Sequence, residues 1–297
     1  MLGFERTYTT PFKEVIPTLT DDYLKKVSKY KRFRRFFGRY IYASFALRKS
    51  QRLKKIPHNC YKILWIQWVN PNLGDSLTDL SGRILLGDKK IYLLTKKNVA
   101  KIYQDDDVFD KVYTSPEKCL DNDYDLVIID SYRQRSLKIF KKYFSKTPHI
   151  SLYGFYSVYD FNQLYFSFFR INQLLIQPFS LEYIKNHSWP LLPISNNDKL
   201  VVKNYNINDN AIAIAIGGVD KTRTYHFWEE VISLLLLHKV TSNIVLLGLE
   251  GSVEFDNISA KYPDNIVNMV GKCTFNQAAQ IVKKASFLIC ADGALLH

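Results

Sequence analysis

The sequence predicts an α/β protein with two Rossmann-like lobes, each on a parallel sheet, preceded by a basic helical extension. Three observations carry this. Short runs rich in Ile, Leu and Val alternate with helical patterns, as strands buried on both faces require. The alternation lapses over 156–200 and restarts at 211. Positive charge gathers at one end: residues 1–60 hold 15 of the 41 Lys and Arg but only 4 of the 28 Asp and Glu. The rest of the chain is therefore nearly neutral, which argues against nucleic-acid binding by the protein as a whole.

Residues 1–22 read as irregular, with Pro11 and Pro17. From Tyr23 to about Leu53 the pattern is helical. Tyr30, Phe33, Phe37, Tyr40 and Ile41 recur at three- and four-residue steps among lysines and arginines, and no acid occurs between Asp22 and Asp75. Three readings fit this segment. Residues 23–55 could lie on an anionic membrane surface. They could bind single-stranded nucleic acid, the less favoured partner. Or the helix packs its aromatic stripe on the first lobe and leaves its basic face solvated.

The first lobe follows. Strands are expected at 61–69, 89–95, 110–114, 124–130 and 149–155, with helices at 76–86, 99–104 and 135–144. Residues 156–200 are less regular, with prolines at 178, 190 and 193, and hold the crossing between lobes. The second lobe has strands at 211–218, 243–249, 266–271 and 287–292, and helices at 227–238, 253–262 and 275–285. The expected domains are 1–58, 59–195 and 196–297. Cys60, Cys119, Cys273 and Cys290 are scattered, so neither a zinc site nor a disulfide framework is expected. No run is apolar enough for a signal peptide or membrane span, and a cytoplasmic location is expected.

In doubly wound sheets, ligands sit beyond the carboxyl ends of strands. Four loops there carry polar chemistry. In Asn72-Leu73-Gly74-Asp75-Ser76, Asp75 could be a general base for an acceptor hydroxyl, or Asp75 or Ser76 could be a helix N-cap with Asp79 completing a box-like arrangement. In Gly217-Gly218-Val219-Asp220-Lys221-Thr222-Arg223, the glycines permit close backbone approach. Lys221 and Arg223 suit a diphosphate, or are merely solvated. Glu250 and Glu254 could each hold a ribose hydroxyl pair, or be surface acids. Past Asp292, the N–H groups of Gly293, Ala294 and Leu295 could form an anion site. Neither a dinucleotide fingerprint nor a P-loop is present.

Taken together, L-G-D-S-L, G-G-x-D-K-x-R and the stretch from Gly271 through Thr274 to Asp292–His297 resemble the bacterial heptosyltransferase-like glycosyltransferases, family 9. The resemblance spans roughly residues 62–297 and is most specific in its C-terminal third. It implies a GT-B fold and inverting, metal-independent sugar transfer without a cofactor. The implied donor is a nucleotide-sugar, often ADP-heptose. The acceptor is a lipid-linked glycan such as a lipopolysaccharide core, at the inner face of the cytoplasmic membrane. It makes 59–195 the acceptor lobe and 196–297 the donor lobe. Asp75 falls at the catalytic base and Lys221, or Arg223, at the donor phosphates. Glu254, with Glu250 as fallback, falls at the ribose, and Asp292, Gly293 and Ala294 at the phosphate turn beside Gly217 and Gly218. Thr274 and His297 are further candidates. Relatives continue beyond this histidine, so the second lobe is expected to be incomplete. The alternative reading is an inactive remnant or binding module that keeps the fold. A sugar-nucleotide epimerase is disfavoured because its further acid/base residues have no place here.

Overall fold

The computed structural model describes residues 28–68, 72–155, 163–205, 207–216, 225–249, 254–291 and 293–297. The chain divides into two compact units, Met1–Leu191 and Leu192–His297.

The first unit opens with helix α1 (Lys29–Ala46), capped by Ser28, whose hydroxyl accepts from Lys31 N at 3.3 Å. Five parallel strands follow: β1 (Lys62–Ile66), β2 (Lys90–Leu94), β3 (Phe109–Tyr113), β4 (Leu126–Ile129) and β5 (His149–Ser151). Their spatial order is β3-β2-β1-β4-β5, a doubly wound sheet that reverses direction between β1 and β4. Ile63, Leu64, Trp65 and Ile66 of β1 are fully buried, as expected for a central strand covered on both faces. Helices α2 (Leu73–Leu80), α3 (Lys97–Tyr103) and α4 (Gln134–Tyr143) are the crossovers.

The N-terminal helix is integral to this unit. Its Ala43 and Ala46 join the core made by Leu64, Val127, Leu137 and Phe140, and α1 packs beside α4. The expectation that its aromatic stripe makes this contact is corrected. Arg32, Phe36, Ala43 and Ala46 face the lobe, whereas Tyr30, Phe37, Ile41 and Phe45 are exposed. Small residues at the contact let the helix approach closely; the ring of Phe36 is buried with them, and Tyr42 packs half-buried against the same core.

The stretch expected to be irregular contains three helices: α5 (Gln163–Leu174), α6 (Leu181–His187) and α7 (Asn196–Asn204). In α5, Leu164, Phe166, Phe168, Ile171 and Leu174 are buried on most sides, which erases the helical period. It packs on residues 81–86, where Gly82 is required: a Cβ there would lie 2.7 Å from Ile171 Cδ1 and 3.3 Å from the Phe168 Cα.

The second unit has parallel strands β6 (Ile212–Ala215), β7 (Ile244–Leu247), β8 (Ile266–Asn268) and β9 (Phe287–Cys290), ordered β8-β7-β6-β9. The winding reverses between β6 and β9. Helices α8 (Trp228–Leu237), α9 (Glu254–Lys261) and α10 (Phe275–Lys284) connect them, and α7 packs against α10.

Candidate functional site

In each unit the candidate loops leave the carboxyl ends of the two strands flanking the reversal, joined in the second unit by the segment after the next strand. In the first unit these are β1 and β4. Past β1, Gln67 is buried and its amide oxygen accepts from Thr95 Oγ1 at 2.7 Å, at the end of β2. Past β4, the buried carboxylate of Asp130 accepts from Trp68 N at 2.9 Å and from Ser131 N at 2.5 Å. Asp130 thus fastens the exit of β1 to the exit of β4. The sequence reading passed over it; the available signal was an acid directly after the strongest apolar run.

Helix α2 starts at Leu73, with Asn72 as N-cap in extended geometry, and Ser76 N donates to Asn72 O at 3.0 Å. Both alternatives for the cap are therefore corrected. Asp75 lies inside the first turn, and the Ser76 hydroxyl donates back to Leu73 O at 2.8 Å. Asp79 completes no box. It is buried on the last turn, where it accepts from Tyr153 Oη and from Gln163 Nε2, both at 2.9 Å. This ties α2 to the exit of β5 and to α5. The Asp75 side chain is half-buried, with Oδ2 accepting from Asn72 Nδ2 at 3.3 Å. A carboxylate is held at the mouth of the sheet by the backbone of a helix anchored at its far end.

In the second unit, β6 runs out at Ile216, whose carbonyl accepts from Trp228 Nε1 at 3.0 Å. Gly217, Gly218, Lys221 and Arg223, which come next, lie outside the described residues, as do Glu250 and Asp292. Gly248, after β7, is a glycine for packing reasons: a Cβ would lie 2.8 Å from Ile216 Cγ1. Its carbonyl accepts from Gly271 N at 3.0 Å, and Gly271 adopts a φ of 69°. Glu254 opens α9. Gly293 and Ala294 follow β9, where Ala294–Leu296 forms a single three-residue turn closed by Leu296 N to Gly293 O at 3.1 Å. His297 is exposed. Because the four strands are parallel, the segments following β6, β7 and β9 all start from one edge of the sheet. Thr274 belongs to a different role: it caps α10 in a reciprocal box, accepting from Gln277 N at 3.2 Å while its own N–H reaches Gln277 Oε1 at 3.0 Å.

All four cysteines are free. Burial pushes the Cys60 thiol up to about 11 and the Cys119 thiol up to about 12, so neither is a nucleophile near neutral pH. Among the described residues no three His, Cys, Asp or Glu side chains gather where they could hold a metal ion. No helix among them is long and apolar enough to cross a membrane.

Two doubly wound units, each with its loops on the carboxyl edge, are the two halves of a GT-B fold. More particularly, residues 165–297 match the glycosyltransferase family 9 (heptosyltransferase) model. Among solved structures, the ADP-heptose lps heptosyltransferase II of E. coli is similar, with a TM-score of 0.57 and 14% identity, covering 80% of each chain. The glycosyl transferase family 9 structure from Veillonella parvula has a TM-score of 0.55 and 11% identity, covering 80% of this chain and 77% of that one. The E. coli heptosyltransferase WaaC with ADP has a TM-score of 0.54 and 13% identity, covering 78% and 82%. At such identities the likeness is one of fold. No curated protein matches the sequence significantly.

Proposed function

We propose that the protein transfers a sugar, heptose being the first to try, from a nucleotide-sugar to a cell-envelope glycan, with inversion, without a metal, and with Asp75 as general base. The observation that carries this is the half-buried Asp75 carboxylate. It sits on the first turn of the helix that leaves β1, beside the reversal of the sheet, in a chain whose residues 165–297 match the family 9 model. Aspartate there suits the chemistry. The acceptor hydroxyl oxygen attacks the anomeric carbon as its proton passes to the carboxylate, and the bond from that carbon to the diphosphate oxygen breaks.

The leaving nucleoside diphosphate gains negative charge. Lys221 and Arg223 would meet that charge, with the turn of Asp292, Gly293 and Ala294 beside Gly217 and Gly218. Glu254, or Glu250, would hold the ribose. Cations and oriented N–H groups of this kind take the part a metal plays elsewhere. The names of the similar E. coli enzymes, which mention ADP, ADP-heptose and lps, recommend ADP-heptose as donor and a lipopolysaccharide core as acceptor. Such an acceptor puts the reaction at the cytoplasmic side of the inner membrane.

The test is turnover of the purified chain with ADP-heptose and other nucleotide-sugars on core-oligosaccharide acceptors. Asp75→Asn is expected to lower kcat by about 10²–10⁴-fold while leaving nucleotide affinity unchanged. Wild-type turnover in that variant would remove Asp75 from the chemistry. Nucleotide binding without turnover of any donor would favour the binding-module reading instead.

A further inference from the structure

Helix α2 carries two carboxylates one turn apart, Asp75 and Asp79. Residues i and i+4 share a helix face, separated by ~6 Å along the axis. Asp75 is half-buried at the mouth of the sheet, whereas Asp79 is only 3% exposed. Burying a carboxylate destabilises a fold more than burying a leucine of similar shape, so stability does not account for Asp79.

Its contacts do. Asp79 Oδ1 accepts from Tyr153 Oη and from Gln163 Nε2, both at 2.9 Å. Tyr153 is held in turn: its N–H donates to Asp130 O at 2.9 Å, and its ring stacks on Phe166 at 5.4 Å between centroids. Asp130 Oδ2 accepts from Trp68 N at the exit of β1. These bonds close a circuit from Trp68 through Asp130, Tyr153 and Asp79 into α2, and back along the chain to Trp68. Further contacts reach α2 past its first residues, where Tyr103 Oη donates to Ser76 O at 3.3 Å and Ser167 Oγ to Thr78 O at 2.6 Å. At the start of the helix, the exposed Asn72 makes no side-chain cap and the Ser76 hydroxyl bonds inside the helix. The rotation of α2 about its axis is therefore set from the Asp79 end.

That rotation decides where Asp75 points. A carboxylate ~5.5 Å from a helix axis moves about 1.4 Å when the helix turns by about 15°. A misplacement on the order of 1 Å is enough to slow a reaction about 10²-fold. We propose that Asp79, acting with Tyr153 and Gln163, is a positioning residue that aims Asp75 at the acceptor hydroxyl. In this role Asp79 takes no proton and touches no reacting atom. The inference rests on the reading of Asp75 as general base.

The experiment is a double-mutant cycle on turnover of the full chain with ADP-heptose and a core oligosaccharide. Tyr153→Phe deletes one hydroxyl, and Asp79→Leu deletes the acceptor oxygens. Each is expected to lower kcat about tenfold to a hundredfold with the donor KM unchanged. Asp79→Asn keeps an acceptor for Tyr153 and is expected to keep most of kcat. In an Asp75→Asn background, Tyr153→Phe is expected to have no further effect, because no base is left to aim. Losses that multiply would overturn the proposal alone, as would wild-type kcat in the folded Tyr153→Phe and Asp79→Leu variants. Full activity of Asp75→Asn would overturn the base reading and the proposal with it. If Asp79→Leu does not fold, Gln163→Leu at its half-buried position replaces it. If no donor turns over, crystal structures of wild type and Tyr153→Phe decide: a displaced Asp75 carboxylate is expected, and an unmoved one overturns the proposal.

Discussion

Individual residues in this protein divide by how far away their partners lie. Asp75 could be singled out from sequence because it stands just past a strand, where a helix begins, and the family resemblance then gave it the role proposed above. Asp79 could not. Its meaning comes from Tyr153 and Gln163, residues 74 and 84 positions on, and sequence proximity suggested a cap instead. Asp130 and Gly248 are of the same kind, each fixed by an adjoining strand's exit. His149 shows what such burial costs. It starts β5 with its ring against Phe140 at 4.8 Å. Burial, helped by the Arg52 charge, pushes its imidazole from 6.5 down to about 4. The folded protein holds it neutral, whereas the unfolded chain protonates near 6.5. Its contribution is therefore intact above pH 6.5, is lost as pH falls from 6.5 to 4, and changes no further below that. Denaturant titrations should show a loss on the order of 3 kcal/mol across this window that His149→Phe flattens. An identical slope in the variant would mean that other groups govern the acid limb.

Secondary-structure elements were legible where one pattern dominated. The strands are short apolar runs bounded by polar loops, and each appears near its expected place. Helix α10 announces itself through Thr274 and Gln277, three positions apart. Removing that cap with Thr274→Ala should destabilise the second unit by about 0.5–2 kcal/mol, read as an earlier thermal midpoint. No shift would mean that packing of α7 on α10 holds this end unaided. Two elements defeated the pattern for opposite reasons. Helix α5 is apolar on most sides, so it has no period to detect. Helix α1 has two apolar stripes, and periodicity finds both without saying which is core. The choice fell to Ala43 and Ala46, whose size permits contact with the sheet-covering helix, over the more hydrophobic aromatic ridge.

For the molecule as a whole, the doubly wound topology followed from counting alternations, because parallel strands require crossovers and these are right-handed. The crossing between units is short: Leu191 N donates to Ser81 Oγ at 2.8 Å in the first, and Pro193 O accepts from Asn276 Nδ2 at 2.8 Å in the second. The proposed donor site belongs to this scale too, since it would draw on the segments after three strands of one sheet edge. A nucleotide that binds the native state stabilises all of it by mass action, by about 2.7 kcal/mol at a hundredfold excess over Kd. ADP is expected to raise the thermal midpoint of the wild type and not of Lys221→Ala/Arg223→Ala. An equal rise in both would move the phosphate site away from this loop.

Strand β5 is three residues long and would end the first sheet, yet its outer side is not bare. Arg52 bridges to His149, and Leu53 N donates to His149 O at 2.8 Å. The segment after α1 therefore acts as a fragment of a sixth strand that blocks the backbone groups through which other chains could add on. Trimming the basic stretch as a dispensable tail would uncover an adhesive sheet margin together with the Phe36, Ala43 and Ala46 footprint. The shortened protein would self-associate through that margin, and its altered behaviour toward lipid would reflect clumping rather than a missing anchor.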